Sequence, residues 1–269
     1  MIDIHSHILP GVDDGARSLA DSVDLVQELA SAGITDVIAT PHYVPETKYV
    51  SNKAKNLLAL QKLEQALVDK GAKTKAFLGN EVYIDKSVAD LVSDGIVSVL
   101  AGGSYLLVEL PLNGTFPHYE DIILDLIGVG YKVILAHPER YVIVQKDYEI
   151  LSELWKAGVL IQCNLGSIMG EYGKGAKKMI KKLLRDDMVF ALGSDIHHCH
   201  GVDYWVKAQK GLQNILLRLR RRGYLKLIRG RFWVRIEFGI WCRFLCGGKR
   251  LDKTRLSSNY AVKPDIGDL

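Results

Sequence analysis

A chain of 269 residues with 48% hydrophobic and 25% charged residues has the composition of a globular protein with a full core, which excludes a wholly disordered, collagenous or coiled-coil chain. The formal net charge of +4 conceals a division, because residues 1–210 carry 21 Lys and Arg against 27 Asp and Glu, whereas residues 211–269 carry 14 against 4. A body with a balance of −6 excludes a nucleic-acid groove there. Four Cys supply no disulfide framework and match no zinc-ribbon spacing. The start MIDIHSH has neither a basic nor an apolar signal region. No apolar run reaches the roughly 18 residues of a membrane span. A cytoplasmic location is expected.

Residues 2–4 form the first predicted strand, which runs into HSH with His5 and His7. The Gly-rich LPGVDDGARS follows, and its Asp14 reads either as a helix cap or as a ligand. Leu19, Val23, Val26 and Leu29 recur near helical spacing over residues 18–32, with Gly33 as the stop. A strand over residues 36–39 leads to His42 in TPHY, and Leu58, Leu60, Leu63 and Leu67 mark a helix over residues 56–70. Residues 74–78 lead to Glu81 in GNEVY, and residues 105–110 contain Glu109 in LVELP. After a helix over residues 121–129, the strand 132–136 runs directly into His137 in AHPER. A helix over 148–156, a strand over 159–163 and a helix over 176–184 come next. The seventh strand, residues 188–192, leads to Asp195 and His197 in GSDIH, before a helix from residue 203. Seven short apolar strands alternating with helices predict an α/β fold, a closed or nearly closed (β/α) barrel whose chemistry lies where the strands run out.

Six of these seven strands deliver His, Asp or Glu at the same end. A lone His beside a strand is usually a packing residue, but eight such side chains at one end of one barrel are hard to reach by that route. Carboxylates crowded together repel unless cations neutralise them, and neutral imidazoles beside them suit divalent transition metals. The residues point to a multinuclear metal site.

HSHILPGVDDG, TPHY, GNEVY, VELP, HPER and SDIH, in this order, resemble the polymerase-and-histidinol-phosphatase (PHP) superfamily. Within it they are most similar to the bacterial manganese-dependent tyrosine-protein phosphatases of capsule and exopolysaccharide systems. The resemblance spans residues 1–208 and implies a distorted (β/α)7 barrel with three divalent ions at the C-terminal ends of its strands. Manganese is the implied metal, with iron and zinc accepting the same ligand types. Carried over, His5, His7, Glu81 and Asp195 hold one ion, Glu81 bridges to a second completed by Glu109 and His137, and Asp14, His42 and His197 hold the third. Arg140 matches the arginine that contacts phosphate. The pattern's second arginine has no counterpart in DIHHCHGVDYW, which puts more weight on Arg140 or brings in His198 or His200.

The implied reaction is hydrolysis of phosphotyrosine on a protein, with the tail of a bacterial tyrosine kinase as partner. A small phosphomonoester such as histidinol phosphate, and a PHP module that binds without catalysis, are the alternatives. No Cys-x5-Arg run occurs, so a cysteine nucleophile is not expected and Cys199 reads as non-catalytic.

Past Gly211 the character changes. GLQNILLRL begins a helix, but Val234, Ile236, Phe238 and Ile240 then alternate with Arg235, Glu237 and Gly239 as in a strand. Three explanations compete: an added edge hairpin, a basic aromatic segment lying on anionic lipid or on the acidic body, and a shifted reading frame. Arg rises from 3 residues before position 211 to 10 after it, together with the changes in charge and period, which favours the third. The expected division is therefore a barrel over 1–210 and a tail over 211–269 that supplies no metal ligand.

Overall fold

The computed structural model describes residues 1–114 and 117–221, together with the short antiparallel pair Trp233–Val234 and Cys242–Arg243. The remainder of the tail reading lies outside the described residues. In residues 1–221 the strands are β1 (Ile2–Ser6), β2 (Asp36–Ala39), β3 (His42–Tyr43), β4 (Lys75–Leu78), β5 (Glu81–Tyr83), β6 (Tyr105–Glu109), β7 (Lys132–Ala136), β8 (Leu160–Asn164) and β9 (Val189–Gly193). All pair in parallel, in the orders β1-β2-β4 and β3-β5-β6-β7-β8-β9.

The seven expected strands are present as β1, β2, β4, β6, β7, β8 and β9, and two unexpected short strands, β3 and β5, continue β2 and β4 past a break. Thr40 and Pro41 separate β2 from β3, and Gly79 and Asn80 separate β4 from β5. Proline lacks the N–H that a continuous ladder requires. The first halves pair with β1 and with each other, and the second halves pair onward to β6. At the other seam, Ser6 bridges Ile196 in parallel, the His7 N–H donates to the Ile196 carbonyl (3.0 Å), and the Asp195 N–H donates to the His5 carbonyl (2.9 Å). The ring of strands therefore meets at its C-terminal rim through a few contacts rather than a ladder. That is the distortion the resemblance implied.

The helices are α1 (Leu19–Ser31), α2 (Lys53–Asp69), α3 (Val88–Ser93), α4 (Tyr119–Gly128), α5 (Val142–Lys146), α6 (Tyr148–Lys156), α7 (Leu165–Met169), α8 (Gly173–Arg185) and α9 (Val202–Arg221). The three that sequence periodicity missed, α3, α5 and α7, have 6, 5 and 5 residues, too few to show a helical repeat. Ser18, Asn52 and Asp147 cap α1, α2 and α6 by accepting the N–H of Asp21, Lys55 and Glu149. Ser18 therefore takes the capping role that Asp14 could have had. α9 runs through the boundary expected at residue 210, with Leu212 buried in the core and Ile215, Leu216 and Leu219 packed against it. The repeat of apolar residues continues there, so the packing does too.

Alternation along each strand separates two layers. Tyr105 and Leu107 of β6 and Ile134 and Ala136 of β7 pack in the barrel interior beside Ile2, Ile4 and Ile38. Leu106, Val108, Val133 and Leu135 face outward into the helix layer. Ile2 and Ile4 share the interior although His5 and His7, of opposite parity, also reach it. The pairing register of β1 shifts between Asp3 and Ser6, and such an irregularity exchanges the faces of a strand.

Tyr141 is fully buried, and its hydroxyl donates to the Ala136 carbonyl (2.6 Å) while accepting the Leu110 N–H (3.0 Å). One oxygen thus ties the ends of β6 and β7. Tyr141→Phe leaves both backbone groups without that partner and is expected to lower stability by about 1–3 kcal/mol, read as a lower urea midpoint with an unchanged m-value.

Candidate metal centre

All nine expected ligands converge at the C-terminal rim. Each arrives by a distinct local device. Glu109 shares the inward face of β6 with Tyr105 and Leu107, and His42 and Glu81 are direct register partners across β3 and β5. His137 and Asp195 immediately follow β7 and Ser194, and both adopt left-handed backbone (φ 33° and 54°). For non-glycine residues that conformation costs on the order of 1–3 kcal/mol. Two glycines make room for the first two histidines. A Cβ on Gly15 would lie 2.0 Å from the His7 carbonyl oxygen, and one on Gly193 would lie 2.8 Å from His5 Cβ.

Donor atoms lying within 4.8 Å of one another form three sets: His5, Glu81, His137 and Asp195; His7, Asp14, His42 and His197; and His42, Glu81 and Glu109. Asp14 thus joins a ligand set. The membership differs from the expected one for His7 and His137, because both stand at shared borders. His7 Nε2 is also 3.2 Å from His5 Nε2, 3.3 Å from Asp195 Oδ1 and 3.4 Å from Glu81 Oε2. His5 Nε2 in turn is 3.2 Å from Glu81 Oε2 and 3.3 Å from Asp195 Oδ1. Four donors placed tetrahedrally around a cation at about 2.1 Å stand about 3.4 Å apart. These five separations match that figure. His137 Nε2 is 2.9 Å from Glu81 Oε1 and 3.7 Å from Glu109 Oε1, so it also reaches the set expected for it.

The electrostatics favour a cationic occupant. Glu81 is fully buried, yet the charges of His5 and His42 overcome burial and hold its carboxyl well below the usual range. Burial, then the neighbouring Glu81 charge, pushes Glu109 up to about 8. Burial lowers His5, but Glu81 and Asp195 outweigh it and bring the ring to about 9. The His197 ring holds Asp14 down at about 2. His42 Nδ1 and Glu81 Oε2 approach to 3.0 Å without hydrogen-bond alignment, and both, with His137 Nδ1, are buried atoms lacking a hydrogen-bond partner. Buried lone pairs left unpaired are costly, and mixed imidazole and carboxylate donors are what divalent ions take. The donor set fits such ions.

A further shell orients these rings, and sequence reasoning missed it. His7 Nδ1 lies 2.8 Å from Asp13 Oδ2, which also accepts the His42 N–H (3.1 Å), while Asp13 Oδ1 accepts the Gly15 N–H (3.0 Å). His5 Nδ1 donates to Gln162 Oε1 (2.9 Å), Gln162 Nε2 donates to Asn164 Oδ1 (2.9 Å), and Asn164 Nδ2 donates to Asp195 Oδ2 (2.6 Å). With Nδ1 so engaged, each ring turns Nε2 to the centre. Glu28 on α1 accepts from Trp205 Nε1 (2.6 Å) and from the His200 and Gly201 N–H groups (2.9 and 3.0 Å), pinning the loop beyond His197.

The centre opens into a cavity of about 500 Å³ that Arg140 also lines. Arg140 Nη1 donates to Asp195 Oδ2 at 2.7 Å, and its guanidinium stacks 4.2 Å from the centre of the Tyr172 ring. His198 and His200 do not line this cavity; the His200 ring stacks on Tyr204 instead. Cys199 is exposed and does not line it either.

Nine short parallel strands in two sheets, carrying a histidine- and carboxylate-rich centre at their C-terminal ends, define a barrel-like α/β protein with a metal-type site. Residues 1–203 match the capsular polysaccharide synthesis family CpsB/CapC, and the chain belongs to that family. It is 32% identical over 199 residues to the tyrosine-protein phosphatase YwqE of Bacillus subtilis, covering 74% of this chain and 78% of that one. With the tyrosine-protein phosphatase CpsB of Streptococcus pneumoniae it shares 26% identity over 209 residues, covering 74% and 83%. A solved chain from the pair YwqE of Bacillus subtilis and CpsB of Streptococcus pneumoniae, metal-dependent tyrosine phosphatases, superposes with a TM-score of 0.75 at 28% identity, over 82% of this chain and 92% of that one. A histidinol phosphate phosphatase from Lactococcus lactis superposes with a TM-score of 0.54 at 16% identity, over 81% and 94%, a likeness of fold alone.

Asp13 sets the orientation of His7 without belonging to any of the three donor sets. Asp13→Ala is expected to weaken metal binding about 10- to 100-fold while leaving the fold intact, measured by metal titration and circular dichroism on the same preparation.

Proposed function

We propose that the chain is a metal-dependent protein-tyrosine phosphatase of capsular polysaccharide synthesis, acting in the cytoplasm on the phosphotyrosyl tail of a bacterial tyrosine kinase. The convergence of all nine donors on one centre beside Arg140 carries the reading, within a family whose relatives are tyrosine-protein phosphatases. Among the described residues no helix is long and apolar enough to cross a membrane. Every donor lies within the matched span of residues 1–203, so the activity belongs to the barrel.

His5, His7, Glu81 and Asp195 would hold one divalent ion, Glu81, Glu109 and His137 a second, and Asp14, His42 and His197 a third, with manganese as the metal. Bound ions of this kind acidify water and offset the charge of a phosphoryl group. The remaining work falls to protein groups. One guanidinium donor of Arg140 is taken by Asp195, which leaves others for a bidentate grip on phosphoryl oxygens. Tyr172 fixes the plane of that fork by stacking. A tyrosine leaving group has a pKa near 10, so expulsion needs little help from a protein acid. The leaving group favours tyrosine esters on these grounds, whereas serine esters demand a stronger acid.

The purified full chain, loaded with manganese, is expected to hydrolyse a phosphotyrosyl peptide in preference to a phosphoseryl peptide and to histidinol phosphate. A chelator should abolish the activity. Arg140→Ala should lower kcat/KM about 10²- to 10³-fold with metal content unchanged by elemental analysis. Turnover that persists in demonstrably metal-free protein would overturn the reading.

A further inference from the structure

Building on the phosphatase reading, we propose that Tyr49 and Tyr83 form a recognition wall for the aromatic ring of the substrate, making the cavity selective for aryl over alkyl phosphate esters. The cavity of about 500 Å³ exceeds what a phosphate group fills, and its lining combines two chemistries. On the side of β7 to β9 it presents His137, Arg140, Asp195 and His197. On the side of β3, β5 and β6 it presents Val44, Tyr49, Tyr83, Pro111 and Leu112 together with the donors His42 and Glu109. Those three strands are consecutive neighbours in the sheet, so the apolar residues issue from adjacent strand ends. Charged donors and Arg140 together with an apolar, aromatic flank form the lining expected for an ester whose phosphate and leaving group differ in just that way.

Tyr49 is displayed by a hairpin that is already ordered. The Val44 N–H donates to the Tyr49 carbonyl (2.7 Å), and Tyr43 bridges Val50 in antiparallel fashion. Thr47 Oγ1 donates to the Val44 carbonyl (2.8 Å) and accepts the Tyr49 N–H (3.0 Å). A wall fixed before the ligand arrives loses little freedom on binding. The Tyr49 ring centre lies 6.1 Å from that of His42, one of the donors at the centre. Tyr83 closes β5 in register with Glu109, which places a second half-buried ring on the same flank. Neither ring touches the reacting atoms, so their contribution is to substrate choice.

The test compares phenylphosphonate with methylphosphonate by calorimetric titration of the manganese-loaded full chain. These two ligands share the phosphoryl chemistry and differ in the ring. Wild-type protein is expected to favour phenylphosphonate. Tyr49→Ala and Tyr83→Leu should each shrink that preference about 3- to 10-fold, with methylphosphonate affinity and metal content within twofold of wild type. Tyr49→Phe should keep the full preference, which separates loss of the ring from disturbance of the hairpin. In kinetics, kcat/KM for phenyl phosphate should fall in the same two variants while that for glycerol phosphate holds. An unchanged preference in both variants, or an equal loss for both ligands, would overturn the wall. Wall-dependent phosphonate binding by a loaded chain that hydrolyses no phosphomonoester would uphold the wall and overturn the phosphatase reading.

Discussion

The carboxylate of Glu81 is fully buried and has four imidazoles around it, His137 at 2.9 Å, His42 at 3.0 Å, His5 at 3.2 Å and His7 at 3.4 Å. An ionised carboxylate without water is tolerable only where positive charge or strong donors surround it. Those four rings come from β1 and the residue just past it, from β3 and from the turn after β7, so satisfying this single group obliges the barrel rim to hold its shape. Glu109 shows the alternative. Placed beside Glu81 with less compensation, it is pushed up to about 8 by burial and by its neighbour's charge. Between them the two residues define what any occupant must bring, namely positive charge beyond that of the protein.

Several irregularities of the fold make sense as means to that arrangement. Glu81 keeps the parity of Phe77 and His42 that of Ile38, both at the interior cluster, so these two donors face the centre across the breaks as alternation requires. The register shift in β1 lets His5 and His7 share an interior with Ile2 and Ile4. His137 and Asp195 take left-handed backbone instead. A regular barrel would have a better ladder and a poorer centre.

Much of this was legible in the sequence because eight of the nine ligands sit at or shortly past the end of a short apolar run, and position at a strand end is a local property. The supporting groups were not legible for a physical reason. Asp13 and Asp14 are adjacent and identical in type, and nothing local says that one turns to the back of His7 while the other joins the ligands. The partners of Gln162, Tyr141 and Glu28 lie 157, 31 and 177 residues away in the bonds to His5, Leu110 and Trp205. Strands β3 and β5 have 2 and 3 residues, and their pairing follows from tertiary register rather than propensity. Tyr49 and Tyr83 carried no signal either, since an aromatic residue near a strand end is ordinary until the cavity beside it is seen.

The clasp of Glu28 on Trp205, together with the bonds from Ser194 and Asp195 back to β1, has a consequence for biogenesis. The first ligands to leave the ribosome are His5 and His7, and the last, Asp195 and His197, follow about 190 residues later. At roughly 5–20 residues per second, the nascent chain carries these histidines for tens of seconds or less before Asp195 and His197 exist. Contacts of such separation in sequence also form late and slowly in folding. The centre is therefore completed late in synthesis, and a chain interrupted before α9 has every strand of the barrel but lacks the Trp205 bond to Glu28 that helps pin the loop beyond His197.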